Sequence, residues 1–289
     1  MSQELTKVRF TNLDKILYPE LGITKAQVIE HYIRMAPRML DILAGRPLSL
    51  TRFPDGVAKE GFYEKDVPVG TPEWVKTFRR HSESADRDIH YILCGNLDTL
   101  VWLANLAALE LHMTLSRADS FDNPDFALID IDPEPPLGYN DAVNVALLVK
   151  ETLDALSLKC YVKTSGKKGL HILVPLAPGH NYRQTRDFVH QIGIHLAKES
   201  EIVVSEFPRS RDPGTVFIDY TQNSHGKTMV SPYSLRATPR ATVSTPLEWD
   251  QIKEGLNPET FNILTVREIE ANPWKMLPVE AQRLEVNWK

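Results

Sequence analysis

The sequence predicts an α+β fold, and three observations carry that expectation. Helical and strand periodicities both recur along the chain, they do not follow the regular βαβ alternation of a doubly wound sheet, and 42% hydrophobic with 25% charged residues is the balance of an ordinary globular chain. A length of 289 residues suits two domains or one large one, with room for a sizeable core.

The elements follow in order. After the entry segment LTKVRFTNLDKILYPE, the stretch ITKAQVIEHYIRMAPRML places Val28, Ile29, Tyr32, Ile33 and Ala36 on one helical face, with Thr24 as the N-cap. Within residues 46–69, PLSLTRFPDG and GFYEKDVP read as two strands joined by a turn. Residues 79–90, RRHSESADRDIH, have no apolar period and predict an exposed loop or hairpin tip, whereas TLVWLANLAALELHM predicts one buried helix. A strand over FALIDIDP, a helix over residues 140–157, a strand at CYVKTS and a Gly/Lys turn come next. A strand LHILVPL, a helix over about residues 183–199 and strands at VVSEFP and TVFIDYTQ complete the pattern.

Composition narrows the function. Cys94 and Cys160 are too few for a disulfide framework or a C-x-x-C zinc site, and the nine histidines form no H-E-x-x-H. A formal net charge of −5 argues against a broadly basic nucleic-acid surface, so any such footprint must be local. No run approaches the roughly 18 apolar residues of a membrane span, and the start MSQELTKVRF lacks a signal-peptide apolar stretch. A cytoplasmic protein with no membrane partner is expected.

The chemistry concentrates in residues 126–136, FALIDIDPEPP. Successive strand side chains alternate faces, so Asp130 and Asp132 share one face while Ile129 and Ile131 share the other. Two like charges so placed need water, a cationic side chain or a metal. They read either as a solvated pair at a strand end or, with Asp219 of TVFIDYTQ as a third carboxylate, as a two-metal phosphoryl-transfer site for Mg²⁺ or Mn²⁺. In TSGKKGLHI, residues 164–172, a turn with Gly166, Lys167, Lys168 and Gly169 lies between two strands. It reads as a hairpin with exposed lysines, or as backbone N–H groups and ammonium charge offered to a phosphate chain, with His171 as a further donor.

Taken together, D-I-D-P, S-G-K-K-G-L-H-I, and F-I-D-Y-T-Q-N with G-K-T-M-V-S-P-Y-S-L-R-A resemble the polymerase domain of bacterial ligase D, a branch of the archaeo-eukaryotic primase superfamily. The likeness extends to T-N-L-D-K-I-L-Y-P…T-K in residues 11–25, T-R-F-P-D-G…F-Y-E-K in residues 51–65 and A-A-L-E-L-H in residues 107–112, and so covers nearly the whole chain. It implies a single primase-polymerase catalytic domain over residues 1–289, two-lobed, with mixed and antiparallel sheets flanked by helices. By the resemblance, Asp130, Asp132 and Asp219 are the catalytic carboxylates that hold two divalent ions, Mn²⁺ or Mg²⁺.

The resemblance also implies that Ser165, Lys168, His171, Lys227, Arg236 and His112 contact the incoming nucleotide. Taken alone, Lys227 and Arg236 equally read as surface bases and His112 as a satisfied core histidine. Lys15 and Lys25 match positions that grip a DNA 5′-phosphate at the downstream edge of a gap, or are solvated lysines flanking a helix. Phe62 and Tyr63 match a pair that stacks on template bases, or place one ring in the core. Arg79 and Arg80, in the polar segment, match a surface loop that helps align two DNA ends, or belong to a solvated hairpin tip.

The chain departs from the family at Pro213-Gly214-Thr215, where a basic residue commonly precedes V-F-I-D; that phosphate contact is lost or passes to Arg209 and Arg211. Glu134-Pro135-Pro136 is also unusual after D-x-D-P. With no ligase or nuclease segment before Lys289, the expectation is a stand-alone polymerase served by a DNA ligase in trans and by Ku. The implied function is nucleotidyl transfer in non-homologous end joining, on DNA with gaps, overhangs or broken ends, with NTPs preferred to dNTPs and the protein on the nucleoid when bound. A de novo primase shares all three motifs, but the zinc ligands common in replicative primases are missing. An inactive end-bridging module is disfavoured because all three aspartates and His171 are present.

Overall fold

In the computed structural model, which describes residues 7–82, 86–206, 212–275, 277 and 280–284, two short antiparallel strands, β1 (Ile16–Tyr18) and β2 (Ile23–Thr24), lead into α1 (Lys25–Leu43). Thr24 starts α1 with a capping box: its side chain accepts from the Gln27 N–H, and the Gln27 side chain accepts from the Thr24 N–H at 2.9 Å. Val28, Ile29, Tyr32 and Ala36 bury the expected face, with Ile33 at its edge. Next come β3 (Pro47–Arg52), β4 (Phe62–Glu64), β5 (Thr77–Ser82), β6 (Arg87–Leu93), α2 (Leu97–Asn105) and β7 (Ala108–Thr114). They are followed by β8 (Phe126–Pro133), α3 (Tyr139–Ala155), β9 (Tyr161–Thr164), β10 (Leu170–Pro175), α4 (Tyr182–Glu199), β11 (Val203–Val204), β12 (Val216–Ile218), β13 (Thr228–Val230) and β14 (Pro246–Leu247).

Two stretches differ from expectation. TLVWLANLAALELHM is α2 followed by β7, not one helix. Its unbroken apolar run satisfies either period, so periodicity could not find the break. Ala107 makes it: in a left-handed conformation (φ 57°), it donates its N–H to Ala104 O and accepts from the Phe53 N–H, and β7 then pairs with β3. His112 therefore lies inside a strand rather than after a helix. Residues 79–90 belong largely to the β5–β6 hairpin, with Arg79 opposite His90 and Arg80 opposite Ile89. Buried Ile89 and Tyr91 alternate there with polar side chains, a period of two that a segment so rich in charge conceals.

The chain forms two compact units: Met1–Asp119, Thr228–Ser244 and Glu259–Glu270 make one, and Ser120–Lys227, Thr245–Pro258 and Ala271–Lys289 the other. The first carries a sheet in the order β13-β7-β3-β6-β5, with β4 beside β3, and packs α1 on α2. The second carries a sheet in the order β11-β12-β8-β10-β9-β14, antiparallel except for the parallel β11-β12 pair. No described helix is long and apolar enough to cross a membrane.

In the second unit α3 and α4 both pack on β8. Gly193 lets α4 approach closely: a Cβ there would lie 2.2 Å from Ser205 Oγ and 3.6 Å from Ile218 Cβ. Ile218 is paired in register with Ile131, so the Ile129/Ile131 face of β8 is the one covered by helices, and both isoleucines are fully buried. Each contributes about 1.5–3 kcal/mol by that burial. The same parity turns Asp130 and Asp132 to the opposite face, as their spacing implies.

Candidate active site

One rung of polar side chains crosses adjacent strands of the second unit. Lys163 of β9 pairs in register with His171 of β10, His171 pairs with Asp130 of β8, and just past β12 the Asp219 N–H donates to Asp130 O at 2.9 Å. Directly paired residues share a face. His171 thus has Lys163 Nζ 2.8 Å from its Nδ1 and Asp130 Oδ1 3.2 Å from its Nε2. Burial, then the Asp130 charge, push the Asp132 carboxyl up to about 6; Lys168 and His171 oppose the shift and Asp219 adds to it.

Asp219 caps the single 3₁₀ turn Tyr220–Asn223. Its Oδ1 accepts from the Thr221 N–H at 2.9 Å and the Thr221 hydroxyl at 2.6 Å, and its Oδ2 accepts from Gln222 Nε2 at 2.9 Å. Buried Asn223 ties this turn to β8: Oδ1 accepts from the Leu128 N–H at 2.8 Å and Nδ2 donates to Leu128 O at 2.7 Å. The strand bearing Asp130 and the turn bearing Asp219 are thereby held in one frame. Sequence reasoning passed over Asn223, whose only signal is an amide closing D-Y-T-Q-N.

Among the described residues no group of three or more Asp, Glu, His or Cys side chains is arranged as it stands to hold a metal ion. The chemistry of the carboxylate face nonetheless fits a hard divalent cation. Asp132 resists ionising beside Asp130, a conflict that positive charge relieves, and carboxylate oxygens already accepting hydrogen bonds keep further lone pairs for an ion.

The Gly/Lys turn is built differently from the phosphate cradle the sequence suggested. Ser165 Oγ accepts from the N–H groups of Lys167 and Gly169 at 3.2 and 3.1 Å, so these two donors are used within the turn. Gly169 is required there, since a Cβ would lie 2.1 Å from Ile131 O, and Gly166 has φ +74°. Lys168 Nζ pairs with Glu134 Oε1 at 2.8 Å, which gives the unusual Glu134 a role. Lys227 is exposed at a turn closed by its N–H on Ser224 O. Arg209 and Arg211 lie outside the described residues.

The remaining candidates belong to the first unit. Glu110, 5% exposed, accepts from Arg236 Nε at 3.1 Å and the Ala237 N–H at 3.0 Å through Oε1, while its Oε2 lies 3.2 Å from His112 Nε2. His112 is also 3.3 Å from Thr51 Oγ1 and meets the Tyr63 ring edge-on at 6.1 Å. Arg236 is buried on a carboxylate rather than lying on the surface as an ordinary base. Glu110 was missed, although a lone acid in the apolar run AALELHM could have marked it. Phe62 and Tyr63 are 41% and 51% exposed, so neither ring is in the core. As neighbours on β4 they face opposite ways, Phe62 beneath the Arg52 guanidinium and Tyr63 with its hydroxyl 3.3 Å from Thr228 Oγ1.

Lys15 and Lys25 come together where residues 13–15 meet the start of α1. The Lys25 and Ala26 N–H groups donate to Lys15 O and Leu13 O, which leaves the ammonium groups as the cationic feature of this corner. Lys15 pairs with Asp55 at 2.7 Å; Lys25, 5% exposed, donates to Thr11 Oγ1 and Asn105 O, and burial followed by Lys15 lowers its pKa. Arg79 and Arg80 stand on β5, not on a loop, and Arg79 Nε pairs with Asp88 at 2.8 Å. Residues 83–85 lie outside the described residues.

A mixed sheet that gathers a D-x-D strand, a third aspartate and a G-K-K-G turn is the arrangement expected of a primase-polymerase. Residues 24–274 match the family described as LigD, primase-polymerase domain, and the chain belongs to that family. It is 34% identical over 251 residues to the multifunctional non-homologous end joining protein LigD of Mycolicibacterium smegmatis, covering 86% of this chain and 33% of that one. It is 32% identical over 262 residues to the bifunctional non-homologous end joining protein LigD of Bacillus subtilis, covering 90% and 42%. The chain thus spans about a third to two fifths of these curated relatives. Among solved structures it resembles the polymerase domain of Mycobacterium tuberculosis ligase D in complex with DNA, with a TM-score of 0.87 and 29% identity over 96% of this chain and 99% of that one.

Proposed function

We propose that this chain is a nucleotidyltransferase that extends primer ends and fills gaps in DNA during non-homologous end joining. The observation that carries the reading is the shared carboxylate face of Asp130 and Asp132, with Asp219 tied to Asp130 by the backbone and His171 beside it. Two divalent ions bound there, Mn²⁺ or Mg²⁺, would supply the charge that activates the primer 3′-hydroxyl and steadies the leaving pyrophosphate. Lys168, His171 and Lys227 would meet the triphosphate and offset its charge of about −4. Ser165 acts in this reading by holding the turn that presents Lys168.

Lys15 and Lys25 grip a 5′-phosphate, Phe62 and Tyr63 contact template bases, and the β5–β6 hairpin bearing Arg79 and Arg80 meets a second DNA end. NTPs are preferred to dNTPs, DNA ligase and Ku are the partners implied, and the protein works on the nucleoid. What supports the whole is family membership together with a matched structure that is a polymerase domain in complex with DNA. The test is incubation with Mn²⁺ and each nucleotide on a gapped duplex bearing a 5′-phosphate, beside an unprimed template. Extension of the gapped primer alone, faster with NTPs, is expected. Synthesis on the unprimed template would make the chain a primase, and no synthesis on either would end the enzymatic reading.

A further inference from the structure

Lys163 has no part in the reading above, yet its side chain on β9 is completely buried. Taking an ammonium group out of water costs several kcal/mol unless it is well hydrogen-bonded. The partner on the catalytic rung is His171, whose Nδ1 lies 2.8 Å from Lys163 Nζ. An ammonium group only donates and a carboxylate only accepts. With Lys163 at Nδ1 and Asp130 Oδ1 3.2 Å from Nε2, both flanks demand the same tautomer: Nδ1 bare, Nε2 carrying the hydrogen. The three residues are paired directly across β9, β10 and β8, so strand register sets the alignment.

We propose that Lys163 is the positioning residue of His171, holding the ring so that Nε2–H is presented on the carboxylate face. The inference rests on the proposal that this face receives a nucleotide triphosphate. A protonated Nε2 donates to a phosphate oxygen, whereas a bare lone pair there would repel it. A nitrogen that carries a hydrogen also cannot ligate a metal, which leaves a divalent ion to the carboxylate oxygens.

Two readouts test this. The first is the long-range ¹H–¹⁵N spectrum of the histidine rings in metal-free protein, with His171 identified by its loss in His171→Gln. Wild type should show Nδ1 bare and Nε2 protonated, Lys163→Met a mixture of tautomers, and Lys163→Gln, which keeps a donor, mainly the wild-type form. The opposite tautomer in wild type, or an unchanged ring in Lys163→Met, overturns the proposal. The second is nucleotide addition on a gapped duplex. Lys163→Met should raise the KM for nucleotide about ten- to a hundredfold, with a smaller effect on kcat, and add nothing in a His171→Gln background. Additive effects would mean that Lys163 acts through packing. If wild type adds no nucleotide at all, the proposed activity fails while the ring spectra still decide the tautomer. Should Lys163→Met not fold, the wild-type and Lys163→Gln spectra decide it.

Discussion

In the second unit Asp130 and Asp132 are held on one face by the pleat of a single strand, whereas in the first unit Lys15 and Lys25 are brought together where residues 13–15 meet α1. Both are like-charge pairs, of opposite sign, and the protein treats them differently. Lys15 has Asp55 as an exposed counter-ion, and Lys25 donates to two oxygens. Asp132 is less well served: Lys168 and His171 oppose its shift, but Lys168 is held on Glu134 and His171 on Asp130, and burial followed by the Asp130 charge keeps the carboxyl raised to about 6. The comparison teaches that a like-charge pair built into strand parity cannot relax by moving apart, while one at a chain corner can recruit local partners. The first is the stronger demand for a ligand of opposite charge.

The largest effect should come from the rigid pair. Asp130→Ala or Asp219→Ala is expected to lower primer extension by about a thousandfold or more, since several kcal/mol of transition-state charge stabilisation go with the metal. Binding to gapped DNA, measured by fluorescence anisotropy, should change little. Extension near the wild-type rate in either variant would remove the aspartates from the chemistry.

The conflict at Asp132 should also appear in stability. The folded carboxyl is raised to about 6 from an ordinary value of 3.8, so between these values the native state holds a proton the unfolded chain has released, and stability falls as pH rises through that window. Asp132→Asn should therefore stabilise the metal-free protein by about 3 kcal/mol above pH 7 and roughly half that at pH 5. Urea unfolding in the presence of a chelator measures this; a gain independent of pH would mean that charge is not its source.

The lysine corner should respond more mildly. Lys15→Ala combined with Lys25→Ala should reduce the preference for a 5′-phosphorylated gap about tenfold and flatten its salt dependence, because two charge-assisted contacts to one dianion are removed. An unchanged preference would place the phosphate elsewhere. Smallest of all, Arg79→Ala should alter thermal stability by no more than about 0.5 kcal/mol, as an exposed ion pair with Asp88 contributes little. A loss several times larger would show that the pair organises the β5–β6 hairpin.

Local regularities were legible because they need nothing beyond the neighbouring residues. Thr24 announced the start of α1, the period of Val28, Ile29, Tyr32 and Ala36 its buried face, and the I-D-I-D alternation the side to which two carboxylates turn. Motif order also pointed to the family. Only the tertiary structure decided that ALELHMT is a strand, because an apolar run is committed by the strands it pairs with rather than by its own period. The same holds for Asn223 clamping Leu128 and Glu110 holding Arg236, which join residues distant in sequence through buried hydrogen bonds, and for Lys163 beside His171, whose meeting depends on the β9–β10 register. Strand parity is a property of the chain at each residue, and the sequence by itself determined it; which strands become neighbours is set by long-range pairing and burial, which no short window of sequence contains.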